Sequence, residues 1–393
     1  MRRPAVTAVL AAAALLLTAG CSDGGPGGAP RPPESNGGSA PGRAEPTGSA
    51  IPSAAPSPSG APAKGSAAVT ATVAKNLKSP WGLVALPDGD LLVSSRDEGS
   101  LTRVDARSGA VTAVGKVVGV SPAGEGGLMG LALSPTYATD HQVYAYFTTE
   151  SDNRIARMIY DEKRPAGQQL GAPDTVFKGI PKGHTHNGGR IAFGPDKMLY
   201  AGTGETGERG LAQDPASLGG KILRMTPEGD PAKDNPSADS VVYSLGHRNV
   251  QGLAWDADRR LWAAEFGQDT WDELNLIEPG KNYGWPTAEG KAGKPGFVDP
   301  VAQWKTSDAS PSGIAVAEGS VWVAALGGER LWRVPLAGAK PVAEPQAFFE
   351  EKYGRLRTVL AVGGDQLLLV TNETDSRGSP QTGDDRILKV TVT

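Results

Sequence analysis

One pattern recurs six times along this chain, and it restricts the fold more than any other feature. Each copy has a glycine-containing start, an apolar strand, a polar turn and a second apolar strand. It runs from Trp81 to Val93, with Asp88-Gly89-Asp90 as the turn. It returns at Gly130–Pro135 with Val143–Phe147, at Gly189–Ala201, at Gly252–Asp256 with Arg260–Ala264, at Gly313–Val323 and at Val359–Val370. Several copies add a third strand, as in Ser100–Val104, Lys221–Met225, Arg330–Val334 and Arg386–Val390. The copies begin roughly 45 to 62 residues apart, the spacing of propeller blades. Short strands joined by turn-rich segments at that period predict an all-β, six-bladed β-propeller. No 12-residue helical stripe competes with this reading. Asp88-Gly89-Asp90 and Gly363-Gly364-Asp365 are hairpin chemistry and receive no further role.

The chain has 393 residues, and the repeats begin after an unusual leader. Arg2 and Arg3 precede an apolar run from Val6 to Leu17, too short to span a membrane permanently. Leu17-Thr18-Ala19-Gly20-Cys21 then resembles a bacterial lipobox, although Thr18 stands where leucine is usual. Residues 1–21 are therefore expected to be a lipoprotein signal peptide, with Cys21 the lipidated residue. An ordinary cleaved signal peptide is the alternative, and either one exports the chain. The expected location is extracytoplasmic, lipid-anchored to the outer face of the cell membrane or secreted. Residues 22–67 contain 20 Gly or Pro among 46 positions, with Ile51 the only large aliphatic side chain. Such a segment buries too little apolar surface to offset its ordering entropy and is expected to be a disordered linker. Residues 68–393 are the expected propeller domain.

Cys21 is the only cysteine, so no disulfide forms within the chain and no Cys-based metal site is available. The net charge of −4 leaves no basic footprint for nucleic acid.

Four constellations carry candidate chemistry. His186, in Gly183-His184-Thr185-His186-Asn187-Gly188-Gly189-Arg190, sits in a glycine-rich loop that lets a ligand approach closely. A neutral imidazole is a natural base for an alcohol proton. A structural histidine is the alternative. His184 could compete for the role, or pair with His186 on a metal if the segment were a strand. Arg248-Asn249 could polarise a carbonyl or anion in the central cavity, or make a salt bridge between blades. Arg355 and Arg357 lie two apart, so both guanidiniums can face one side of an extended strand and take carboxylates, or else mark a solvated strand edge. Asp269, Asp272 and Glu273 form an oxygen-rich acidic turn of the kind calcium uses.

Taken together, these segments resemble the soluble quinoprotein sugar dehydrogenases, the PQQ-dependent glucose and aldose sugar dehydrogenases, from about residue 78 to the C-terminus. Tyr243–Pro286 carries much of the likeness. The resemblance implies a six-bladed propeller that oxidises an aldose at C1 to the lactone, passing hydride to PQQ and electrons to an external acceptor. It implies that His186 is the base and that Arg248 and Asn249 contact the quinone. Gly267 and Gln268 would hold the calcium beside PQQ through their carbonyls. Arg355 and Arg357 would neutralise its carboxylates, and Thr306 would be a further cofactor contact. Glu273 and the Tyr283 carbonyl would bind a second calcium. Glu125, Glu205 and Trp304 fall at positions expected to meet substrate.

The chain also departs from the family pattern. Gly327-Gly328-Glu329 stands where some members place a PQQ-contacting lysine, and Glu205 replaces an aspartate. Glu125 stands for a substrate-binding glutamine, and Thr185 for an aspartate. These departures point to the aldose sugar dehydrogenase branch, or a sorbosone dehydrogenase-like relative, over a strict glucose enzyme. The rival readings are a non-catalytic propeller lipoprotein that binds carbohydrate or a partner, and a calcium-dependent lactonase.

Overall fold

The computed structural model describes residues 60–393. The signal segment with Cys21, and the linker as far as residue 59, lie outside the described residues.

Six antiparallel sheets follow one another along the chain. Blade 1 comprises Pro80–Ala85, Leu91–Ser95, Ser100–Val104 and Val111–Lys116. Blade 2 comprises Leu128–Leu133, Gln142–Thr148, Asn153–Ile159 and Asp174–Ile180. Blade 3 comprises Ile191–Phe193, Leu199–Gly202, Lys221–Met225 and Val242–Leu245. Blade 4 comprises Val250–Trp255, Leu261–Glu265, Trp271–Ile277 and Ala302–Lys305. Blade 5 holds Pro311–Ala317, Ser320–Ala325 and Arg330–Ala337, edged by Lys340–Pro341 and Gln346–Phe348. Blade 6 holds Leu356–Ala361, Gln366–Thr371 and Ile387–Val392. Its outer strand comes from the other end of the chain: Ala67–Ala74 pairs antiparallel with Ile387–Val392. The expected six-bladed propeller is therefore observed, and each blade gains an outer strand that the repeat pattern did not reveal.

The first strand of each blade contacts the first strands of both neighbours, and blade 6 meets blade 1. This ring explains the glycine that opens so many repeats. A Cβ on Gly82 would sit 2.6 Å from the Met129 carbonyl oxygen of blade 2. A Cβ on Gly130 would collide with the Gly189 carbonyl of blade 3, which accepts the Gly130 N–H at 3.1 Å. Inner strands converge on the axis, and only glycine lets their backbones come this close. At the seam, Thr358 Oγ1 donates to the Trp81 carbonyl at 2.7 Å, joining blade 6 to blade 1.

The core lies between the faces of adjacent blades. Trp262 and Trp322 are fully buried there, as are Leu92, Leu101, Leu128 and Leu369. Large-to-small changes at such sites cost about 3–5 kcal/mol for an aromatic side chain. The packed body also takes in residues before the composition boundary at 68. Ala61 N donates to Leu336 O at 2.8 Å, and Arg333 Nη2 donates to Pro62 O at 2.9 Å.

Candidate active site

Antiparallel strands bring the start of each first strand to the same end of the propeller as the finish of the second. Arg248 and Asn249 immediately precede Val250–Trp255, and Arg355 precedes Leu356–Ala361. Arg96 immediately follows Leu91–Ser95, and Phe266 and Gly267 follow Leu261–Glu265. One end of the ring therefore gathers residues hundreds of positions apart. A cavity there, with about 430 Å³ of empty space partly open to solvent, is lined by Trp81, Arg96, Glu125, Gln251, Phe266, Ser310, Leu326, Arg355, Arg357 and Arg377.

Its wall on blades 1 and 6 is basic. Arg355 Nη2 and Arg357 Nη2 donate to the same oxygen, Asp375 Oδ2, at 3.3 and 3.2 Å. The two guanidiniums do face one side. Arg96 adds a third cation, with Nη1 3.9 Å from that oxygen and Nη2 donating to the Asp375 carbonyl. Arg357 also donates to Asn372 Oδ1 and Gln251 Oε1, each at 2.9 Å. Arg190 lies over the Trp81 ring at 4.2 Å. Burial pushes Arg357 down to about 9, with Asp375 opposing and Arg96, Arg355 and Arg190 reinforcing the shift. Burial alone takes Arg190 down to about 9. Asp375 moves the other way. Burial acts to raise it, but Arg357, Arg355 and Arg96 hold it below the usual carboxylate range. Arg355 Nε is buried without a partner among the described residues. Cations outnumber anions here, as an anionic ligand requires.

The histidine loop approaches the same cavity. Residues 183–190 form a loop, not a strand, so the spacing of His184 and His186 does not put both rings on one side. His186 has a left-handed backbone, with φ of 51°. Its N–H donates to Glu125 Oε2 at 2.7 Å, and its Nδ1 lies 2.5 Å from Glu205 Oε1. Glu205 is buried, and its Oε2 has no partner among the described residues. The carboxylate makes Nδ1 the donor and leaves the Nε2 lone pair available, the arrangement a general base needs. Glu205 thus lies behind the imidazole and not at a substrate-facing position. Glu125 does line the cavity, but both oxygens are committed: the other accepts Arg377 Nη1 at 2.8 Å. Burial acts to raise Glu125, but the His186 N–H and Arg377 outweigh it and hold the carboxyl below its usual range. Asn249 Oδ1 accepts the Gly188 N–H at 2.9 Å, tying this loop to blade 4.

On the blade 4 side the wall is acidic. A small cavity is lined by Arg248, Glu265, Gly267, Glu273, Tyr283 and Glu289, among others, and Phe266 lines both cavities. The expected acidic turn is corrected. Asp272 and Glu273 lie on the strand Trp271–Ile277, while Asp269 is exposed. Adjacent strand residues point to opposite sides. Asp272 therefore accepts the Gly267 and Ser310 N–H groups, whereas Glu273 accepts Gly290 N at 2.6 Å and Asn275 Nδ2 at 3.1 Å. Burial pushes Asp272 up to about 7. Burial, helped by the Glu265 charge, pushes Glu273 up to about 8. Glu289 Oε1 accepts the Gln268 N–H at 2.7 Å.

A Cβ on Gly267 would strike the Trp271 carbonyl and lie 2.7 Å from Glu289 Oε1, so glycine keeps this corner open. No hydrogen bond to the Gly267 or Gln268 carbonyl occurs among the described residues. No group of three His, Cys, Asp or Glu side chains poised to hold a metal is found among the described residues. A cation here would lean on backbone oxygens beside the acids, which suits calcium.

Arg248 stands between the two walls. Its Nη2 donates to Gln268 Oε1 at 3.0 Å, its guanidinium lies 5.5 Å from the Trp285 ring, and its N–H donates to Glu265 Oε2. Burial lowers it, and Glu205, Glu125, Glu289 and Asp272 oppose that. Ser244, His247 and Glu265 form a hydrogen-bonded chain at 2.8 and 2.9 Å. Ser244 and His247 have no exposed surface, so the chain serves to orient Glu265 beneath Arg248.

His186, Glu205, Asn249 and Gln268 line neither cavity but hydrogen-bond to residues that do, whereas two further sequence-based assignments stand apart from both. Trp304 is a core side chain between blades 4 and 5, with its ring centroid 5.7 Å from that of Trp332. It sits on the outermost strand of its blade, away from the axis, which corrects the substrate assignment. Thr306, two residues beyond, is half-buried and lines neither cavity. Sequence reasoning missed Arg96, Gln251, Glu265, Glu289, Asp375 and Arg377. The signal for Arg96 was positional, since it stands directly after the second strand of its blade.

A six-bladed propeller with a histidine–carboxylate pair between a basic and an acidic wall defines a class of small-molecule enzyme. The glucose/sorbosone dehydrogenase family model matches residues 77–379, and the chain belongs to that family. A solved structure described as the PQQ-bound form of an aldose sugar dehydrogenase from Streptomyces coelicolor is 70% identical, with a TM-score of 0.84. The match covers 85% of this chain and 100% of that one. Quinoprotein glucose dehydrogenase B of Acinetobacter calcoaceticus is 30% identical over 285 residues, 63% of this chain and 59% of that protein. Aldose sugar dehydrogenase YliI of Escherichia coli is 33% identical over 237 residues, 58% of this chain and 64% of that protein. The chain thus spans less than two thirds of the length of these two curated relatives.

Proposed function

We propose that this protein is a PQQ-dependent aldose sugar dehydrogenase that oxidises a cyclic aldose at C1 to the lactone and passes the electrons to an external acceptor. The observation that carries this reading is the His186–Glu205 pair, 2.5 Å apart, beside a cavity whose buried arginines outnumber their counter-ions. The donor set suits PQQ, a planar tricarboxylate with a vicinal quinone. When bound, PQQ supplies the hydride acceptor.

Arg355 and Arg357 would hold its carboxylates, and Arg248 and Asn249 would meet its quinone end. His186 Nε2 takes the C1 hydroxyl proton. Glu205 keeps the ring in the right tautomer and stabilises the imidazolium that forms, while Glu125 fixes the loop backbone. The Gly267 and Gln268 carbonyls would hold a calcium ion beside the cofactor, with Arg248 adding positive charge. Glu273 and the Tyr283 carbonyl would hold a second. The N-terminal run exports the chain, and Cys21 carries a lipid that holds it at the outer face of the membrane.

The test uses the full-length protein with PQQ and Ca²⁺, following dye reduction across a panel of aldoses beside His186→Ala. Sugar-dependent reduction that needs PQQ and is lost in the variant is the expected result. No reduction with any sugar, and no PQQ binding, would leave a binding propeller. Lactone hydrolysis without PQQ would favour a calcium-dependent lactonase. For the anchor, Cys21→Ala moves the protein from the membrane fraction to the soluble one.

A further inference from the structure

We propose that Arg377 is a two-position cation of the anion-binding wall: it holds Glu125 across the cavity when no anionic ligand is bound, and turns onto a carboxylate of the cofactor when one is. The inference rests on the PQQ reading and adds a binding residue and a coupling to it.

Four arginines line the cavity, and they are not equivalent. The Arg96, Arg355 and Arg357 side chains are 6, 13 and 5% exposed; Arg355 and Arg357 pair with Asp375, while Arg96 pairs with Asp97 at 2.7 Å and reaches Asp375 only at 3.9 Å. Arg377 is 48% exposed and makes no ion pair with Asp375 among the described residues; its carboxylate partner is Glu125, on the loop before blade 2. Its backbone is nevertheless fixed. Arg377 N donates to Asp375 Oδ1, and Glu373, two residues before Asp375, accepts the Arg355 and Ser379 N–H groups at 2.6 Å. Asp385 in turn accepts Glu373 N and Thr374 N. A rigid base therefore carries a long, half-exposed guanidinium beside three buried ones.

Arg355 and Arg357 share Asp375, and Arg96 pairs with Asp97 at 2.7 Å, so neither carboxylate is left over for a fourth cation, which is repelled unless it has its own anion. Glu125 supplies that anion in this state. A ligand carboxylate on the basic wall supplies a better one, because it also satisfies the buried arginines. When Arg377 turns to the ligand, Glu125 Oε1 is freed while Oε2 stays on the His186 N–H. The freed oxygen then faces the cavity as a hydrogen-bond acceptor for a sugar hydroxyl. Cofactor loading and sugar recognition are thereby coupled through one side chain.

The experiment measures PQQ affinity directly, by quenching of tryptophan fluorescence, in the full-length protein with Ca²⁺. It compares wild type, Arg377→Gln, Glu125→Gln and the double variant, with a thermal melt of each to confirm folding. Arg377→Gln is expected to weaken PQQ binding about tenfold, the worth of one charge-assisted bond. Glu125→Gln alone is expected to tighten it, since Arg377 no longer has to leave a carboxylate. The Arg377→Gln loss is expected to persist when Glu125 is already Gln. Unchanged affinity in Arg377→Gln, or a loss that vanishes in the Glu125→Gln background, would overturn the proposal and leave Arg377 a strut for Glu125. A wild type that does not bind PQQ at all would remove the cofactor reading itself, and this inference with it.

Discussion

The two walls of the site solve opposite electrostatic problems. The basic wall sets four guanidiniums against three carboxylates, with Arg355 and Arg357 sharing Asp375, and burial drives Arg357 down to about 9. On the acidic side, carboxyls collect on blade 4 and the loop before its last strand, where burial drives Asp272 up to about 7 and Glu273 up to about 8. Each wall alone opposes its own charge, because desolvation penalises an ion with too few partners. A folded protein keeps such groups where something else completes them. The difference shows that the site is polarised. An anion is wanted at blades 1 and 6 and a cation at blade 4, with His186 and Arg248 between them. The metal-bound anionic cofactor proposed above would meet both demands at once.

Breaking the middle of this arrangement has the largest effect. His186→Ala is expected to lower kcat by about a thousandfold, in the range of general-base removal, while PQQ affinity measured by fluorescence stays within a few-fold. An equal loss of affinity would mean that the histidine acts in binding.

The basic wall comes next. Arg357→Met removes a buried partner of Asp375 and is expected to cost about 3–5 kcal/mol in urea unfolding. The same change should cost PQQ affinity more than Arg96→Met does, since Arg357 is the better connected of the two. The reverse order would place the ligand carboxylates nearer blade 1.

On the acidic wall the sign inverts. Glu273→Gln replaces a carboxyl whose ionisation burial and Glu265 already oppose, so the calcium-free melting temperature is expected to hold or rise by a few degrees. The rise that added Ca²⁺ produces in wild type is expected to shrink. A variant that loses stability without calcium would make Glu273 a structural partner of Asn275 and not a cation ligand.

The smallest effect is on the acid limb. Asp375 lies below its ordinary 3.8 in the folded state, so the unfolded chain binds more protons there. Its contribution is complete above about pH 4 and is lost as pH falls through the lowered folded value. Asp375→Asn should flatten the decline of melting temperature below about pH 4. An unaltered acid limb would mean that Arg355 and Arg357 are held chiefly by Asn372, Gln251 and Glu373.

Part of the site was legible before the fold was. His186, Arg248, Arg355 and Arg357 were readable because each sits in a local motif at the start of a blade. Arg96 and Arg377 were not, because each stands in an ordinary polar turn whose neighbour in space is a different blade. Trp304 misled for the converse reason. A tryptophan near a motif suggests a ligand contact, but its place on an outer strand puts it in the core between blades.

By itself, the sequence determined the number of blades and the members of the histidine loop. Alternating apolar runs fix strands, and the glycine of Gly82, Gly130, Gly252 and Gly313 records how closely inner strands approach around the axis. Only the tertiary structure decided how the ring closes and how the charges are shared. The strand Ala67–Ala74, mostly small or polar and largely exposed, carries too little apolar signal to announce itself, yet it completes blade 6 against Ile387–Val392. Likewise the pairing of Glu125 with Arg377, 252 positions away, follows from closing six sheets into a circle. Closure brings the first and last blades together, and no periodicity within either segment encodes that.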